Sequence, residues 1–89
     1  MIQVQNYIIS DAHVAKLQEY ILNHLAKTPF GAQSVSYLVD CIRMDLNVNF
    51  PTNHSFAMDV FTALGFTIKQ GQQIDPRRKA KHYSWAVTL

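Results

Sequence analysis

Ala63-Leu64-Gly65-Phe66-Thr67-Ile68-Lys69-Gln70, taken together with Tyr83-Ser84-Trp85-Ala86-Val87 further on, is the stretch whose reading decides the fold. Up to Leu64 the apolar residues fall three or four apart, the spacing of one helix face. From Phe66 onward the period becomes two: Phe66, Ile68 and Gln70 alternate with Thr67, Lys69 and Gly71. The same period returns in Tyr83, Trp85 and Val87 against Ser84, Ala86 and Thr88. Gly65 lies at the switch, where a left-handed residue closes a helix and lets the next aromatic fold back on it. A helix therefore hands over directly to a pair of strands across 66–88. The interval Gly71–His82 is longer than a tight hairpin turn, so it predicts a polar loop with a mobile tip. Trp85, Tyr83 and Phe66 are residues of the kind that stack on bases, but an aromatic alternating inward on a closing strand is more often core, which is the placement expected of Trp85.

Working back from that switch, Thr52 or Asn53 can cap a third helix over 53–64. Phe56, Ala57, Val60, Phe61 and Leu64 supply its core face, and Asn53, His54, Ser55, Met58, Asp59 and Thr62 are left outside. Before it, Asn47-Val48-Asn49-Phe50-Pro51-Thr52-Asn53 is rich in turn formers, and Pro51 pushes Phe50 out of helical geometry. A second helix over 34–46, capped by Ser34 or Ser36, carries Val35, Leu38, Cys41, Ile42 and Leu46 at helical spacing. Asp40, Arg43 and Asp45 form its wet face. Thr28-Pro29-Phe30-Gly31 separates it from a first helix over 11–27, capped by Ser10 or Asp11. There Val14, Leu17, Ile21 and Leu25 make one stripe and Lys16, Glu19 and Asn23 lie off it. Ile2, Val4 and Ile8 predict a strand over 2–8, with Asn6 interrupting its apolar side.

The resulting order is strand, helix, helix, turn, helix ending in Ala63-Leu64-Gly65-Phe66, and a basic hairpin closing with Tyr83-Ser84-Trp85-Ala86-Val87. It resembles the winged helix-turn-helix superfamily over about residues 10 to 89. The resemblance implies an α+β fold, with three helices, a C-terminal β-hairpin wing and an N-terminal strand in one domain over 1–89. It makes 34–46 the supporting helix, 53–64 the recognition helix and 67–87 the wing. DNA-binding members set the recognition helix in the major groove and touch backbone or minor groove with the wing.

Composition agrees with a small self-sufficient domain. The chain has 89 residues, 48% hydrophobic and 11% aromatic, which is enough to build one core without a disulfide or metal. The single cysteine, Cys41, has no partner in the chain and reads as a small buried apolar residue. The opening Met1-Ile2-Gln3-Val4-Gln5 lacks the basic start and apolar run of a secretory signal, so a cytoplasmic location is expected. No apolar run approaches the ~20 residues of a membrane span.

Charge is divided unevenly. Residues 1–68 hold Lys16, Lys27 and Arg43 against Asp11, Glu19, Asp40, Asp45 and Asp59, or 3 − 5 = −2. Residues 69–89 hold Lys69, Arg77, Arg78, Lys79 and Lys81 against Asp75, or 5 − 1 = +4. An acidic body with a basic end points to a polyanionic partner.

Candidate contacts with nucleic acid are therefore Lys69, Arg77, Arg78, Lys79, Lys81 and His82 from the hairpin, with Asn53, His54 and Ser55 from the start of the third helix. Duplex DNA is the expected partner. The third helix carries no Lys or Arg and includes Asp59, which repels phosphate. That motivates a second expectation, a protein-interaction module or small inhibitor of a nucleic-acid-processing complex. A homodimer, through the N-terminal strand edge or the apolar side of the first helix, is a further expectation. His13, His24, His54, His82 and Cys41 lack the close pairing of a zinc site, so no metal or other cofactor is expected. Neither paired carboxylates, a nucleophile beside a histidine nor a glycine-rich phosphate loop is present, which argues against an enzyme. Asn53-His54-Ser55 matches the glycosylation sequon by chance in a cytosolic chain.

Overall fold

The structure is a computed structural model that describes residues 1–28, 31–75 and 80–89, the backbone alone for 71–75 and 80–84. Its elements run β1 (Ile2–Val4), β2 (Tyr7–Ile9), α1 (Asp11–Ala26), β3 (Ala32–Ser34), α2 (Val35–Leu46), α3 (His54–Ala63), β4 (Thr67–Asp75) and β5 (Ala80–Thr88). The architecture is α+β, with three helices and two small antiparallel sheets, ordered β1-β2 and β3-β5-β4.

Each helix starts and stops for a local reason. Ser10 caps α1, its hydroxyl accepting from the His13 amide at 3.4 Å. Asn53 caps α3, its Oδ1 accepting from the Phe56 amide at 3.1 Å. Ser34 stands at the N-cap of α2 without a side-chain cap bond; its hydroxyl lies 3.1 Å from that of Ser36. Asn47 ends α2 in the left-handed conformation at φ 51°, which asparagine tolerates better than most residues. At the end of α3 the Gly65 amide donates to the Thr62 carbonyl at 3.0 Å and the Phe66 amide to the Phe61 carbonyl at 3.1 Å. With Gly65 at φ 100°, this is a Schellman closure, and the side chains of Phe66 and Phe61 are both buried beside it.

The core takes Leu17, Ile21 and Leu25 from α1, Val35, Leu38, Val39 and Ile42 from α2, and Ala57, Val60 and Phe61 from α3. Ile9, Leu64, Phe66 and Val87 close it. Phe50, from the connection between α2 and α3, is also buried at 2% exposure. Its ring lies 5.2 Å from Phe61 and 6.3 Å, edge-on, from Tyr7. Tyr7 in turn donates its hydroxyl to the Asn49 carbonyl at 2.8 Å, pinning the same connection from the N-terminal hairpin. The Gln18 amide of α1 donates to the Leu64 carbonyl at 3.0 Å, meeting one of the carbonyls a helix end leaves open.

Several expectations need correction. The N-terminal strand over 2–8 is a hairpin, because Gln5 adopts φ 53° and turns the chain so that Val4 pairs Tyr7 and Ile2 pairs Ile9. A strand absent from the sequence reading, β3, lies between α1 and α2, after Gly31 at φ 63°. The expected loop 71–82 is mostly strand: pairing continues from Gly71↔Ser84 to Asp75↔Ala80, since ladder bonds use backbone groups and need no apolar alternation. The expected mobility of its tip lies outside the described residues. Cys41 is half-buried rather than buried, as the fringe of α2's apolar stripe. Met58 and Phe56 are each partly buried against the core, so Met58 is not one of the free positions of α3. The apolar side of α1 is already used in the core, which leaves Leu22 as its exposed large apolar residue.

Candidate nucleic-acid interface

Two elements carry the expected contacts, the first turns of α3 and the ribbon of β4 and β5. Asn53, His54, Ser55, Asp59 and Thr62 are all exposed. Ser55, Asp59 and Thr62 are four and three apart and line one stripe of α3. Part of their hydrogen-bonding capacity is taken. Asn53 spends Oδ1 on the Phe56 amide, leaving its Nδ2 as donor. Thr62 donates its hydroxyl to the Met58 carbonyl at 2.9 Å and retains only acceptor capacity. Ser55 and His54 have no partner among the described residues. The stripe can therefore accept and donate to base edges, but it carries no cation, and Asp59 opposes phosphate.

The chain passes from α3 to the ribbon through Leu64, Gly65 and Phe66, so the Schellman closure sets the angle between the two. Lys69 is exposed on β4, in register with Ala86. Lys81 and His82 belong to β5, in register with Ile74 and Gln73. Arg77, Arg78 and Lys79 lie outside the described residues.

The sheet is three strands wide only near its root. β3 pairs β5 at Ala32↔Thr88, Gln33↔Val87 and Ser34↔Ala86, and stops there. On β5, Val87 is fully buried, whereas Trp85 is 44% exposed. The inward placement expected of Trp85 is thus corrected: alternation assigns it Val87's side of the strand, but the core ends two rungs earlier, at Ile68↔Val87, and across the ladder Trp85 faces the exposed Gln70. Phe66 is buried as expected. Sequence alternation reports the face of a strand and not how far the core beneath it extends, so no signal in the sequence distinguishes Trp85 from a core aromatic.

The clear shifts in acidity fall away from this surface. Burial raises the Tyr7 phenol above its usual value. Tyr20 is raised strongly, first by loss of solvent and then by the Asp45 carboxylate, to which its hydroxyl donates. Among the described residues no group of three His, Cys, Asp or Glu side chains is placed to hold a metal, and no helix is long and apolar enough to cross a membrane.

The chain matches no protein-family model, and no curated protein or solved structure matches it either.

Proposed function

We propose that this chain is a winged helix-turn-helix domain that binds duplex DNA, as a regulator or accessory factor in transcription, replication or recombination. The observation that carries the reading is the strand order β3-β5-β4. A short strand delivers a pair of helices, and the hairpin that follows them returns its last strand to that short strand, as in a winged domain. The helix pair then presents α3, and the hairpin carries most of the chain's cations. Residues 69–89 are net +4 against −2 for the rest, so the electrostatic attraction for phosphates is concentrated on the ribbon. Lys69, Arg77, Arg78, Lys79, Lys81 and His82 would contact backbone, and Asn53, His54 and Ser55 would meet base edges or phosphates at the start of α3. The connection from Asn47 to Asn53 is longer than the three or four residues usual between the two helices of such a motif.

The test is a fluorescence-anisotropy titration of a labelled mixed-sequence duplex at about 50 and 200 mM salt. Binding that weakens by orders of magnitude between the two supports the reading. No binding at the lower salt refutes it.

A second reading, a protein-interaction module that keeps this fold, is favoured by the cation-free face of α3 and by Tyr37 and Met44, both exposed on α2. Under that reading a protein partner co-purifies at physiological salt and DNA does not. A homodimer remains compatible with either reading, and sedimentation at high concentration tests it.

A further inference from the structure

We infer that Trp85 is a stacking platform for an unpaired nucleobase, so that the root of the hairpin holds single-stranded DNA beside the duplex. The inference rests on the DNA-binding reading above and deepens it.

A tryptophan placed in a core removes some 150–250 Å² from water. Trp85 instead leaves 44% of its surface outside, two residues from the fully buried Val87. Three neighbours explain why. The residue across the ladder is the exposed Gln70, so no apolar partner covers the ring from β4. On its other side β3 ends at Ser34↔Ala86, which makes Trp85 the first residue of β5 without a strand beside it. Among the described side chains no ring pairs with it, the ring pairs being confined to Tyr7, Tyr20, His24, Tyr37, Phe50, Phe56 and Phe61. The result is an open aromatic side chain at a step in the sheet edge.

The charge around it selects the occupant. Lys69, paired with Ala86 one rung from Gln70↔Trp85, is exposed on the opposite face of the ribbon, and the segment 69–89 carries a net charge of +4. An exposed aromatic ring on a cationic segment is the combination that binds single-stranded nucleic acid, the cations holding phosphates while the ring takes a base. Within a continuous duplex both faces of every base are covered by neighbours, so the ring can stack only where a base is unpaired or at an open end.

Trp85 is the chain's one tryptophan, so its fluorescence reports contact directly. The full chain is titrated with oligothymidine and with a duplex whose ends are both closed by hairpins. Dissociation constants are compared for wild type, W85F and W85A, with thermal melts of each. The expected result is quenching by oligothymidine, about tenfold weaker oligothymidine binding by W85A, and less than about twofold change for the closed duplex, with W85F close to wild type. Equal loss on both ligands by W85A, with W85F also impaired, makes Trp85 a structural residue and overturns the inference. Closed-duplex binding with no effect of W85A on oligothymidine overturns the inference and leaves the DNA reading standing. Failure of wild type to bind either ligand removes both. An acidic peptide that quenches Trp85 where oligothymidine does not also overturns it.

Discussion

In the body built by α1, α2 and α3, every buried side chain is apolar, and helix ends and connection are held by named bonds to Ser10, Asn53, Gly65 and Tyr7. Among the described side chains, the ribbon of β4 and β5 shares that core at its root, through Ile68 and Val87, with Phe66 just before it. Beyond Lys69↔Ala86 its described backbone pairs as two strands, an arrangement that is marginal in water by itself. The body is acidic and the ribbon basic. On the DNA-binding reading proposed above, stability and partner contact fall on separate parts of the chain, and substitutions should separate them too.

The largest expected effect is in the body. Phe50→Ala removes a buried ring that touches both Phe61 and Tyr7, and should cost about 3–5 kcal/mol in urea unfolding. A cost below about 1 kcal/mol would mean that the connection is not clamped by the core, and the contrast with the ribbon would collapse. The reverse experiment neutralises Arg77, Arg78, Lys79 and Lys81 together to glutamine. DNA binding at about 50 mM salt should fall roughly 100-fold or more, and the slope of log affinity against log salt should lessen by about 3 to 4. The melting temperature should barely move; a large drop would show that the ribbon's charges serve the fold.

Two smaller changes probe the joint between the parts. Gly65→Ala introduces a Cβ that meets nothing within 4 Å, so its cost is that of the backbone at φ 100° alone. We expect about 1–2 kcal/mol, with Gly65→Asn milder, measured by denaturant midpoint. At the other end of α3, Asn53→Ala should cost about 1 kcal/mol, while Asn53→Asp keeps the cap. If the free Nδ2 of Asn53 meets DNA, the aspartate variant retains stability and loses affinity; equal affinity would confine Asn53 to capping.

The smallest effect is alkaline. The phenols of Tyr7 and Tyr20 are raised in the folded chain, so folding favours their protonated forms. Their contribution is fully present below the unfolded value near pH 10 and is lost as pH rises above it. Thermal melts between about pH 9 and 11 should fall steadily, and Tyr20→Phe should flatten that fall.

The helices were legible because burial imposes a period of 3.6 on long segments: Leu17, Ile21 and Leu25 or Val35, Leu38 and Ile42 cannot be arranged otherwise without exposing apolar surface. β3 was not, since Ala32-Gln33-Ser34 has no apolar alternation and exists by pairing with residues 86–88, far along the chain. Gln5 hid the first hairpin, because glutamine is a poor marker of a left-handed turn. The Gly71-Gln72-Gln73 run reads as loop for want of alternation, although its backbone pairs in full. For the candidate interface, the cations and Asn53 could be read directly as residue types. The exposure of Trp85 could not, because it depends on where β3 and the core stop.

β5 has a consequence for the order in which the molecule assembles. It is the middle strand, bonded to β3 on one side and β4 on the other, and its partners in β3 lie more than fifty positions earlier in sequence. The three helices can gather through near neighbours, but the wider sheet waits on a long closure whose entropy cost must be met before its bonds form. The ribbon's root is thus a late event in folding, and the step at Trp85 comes into being only when that last strand docks.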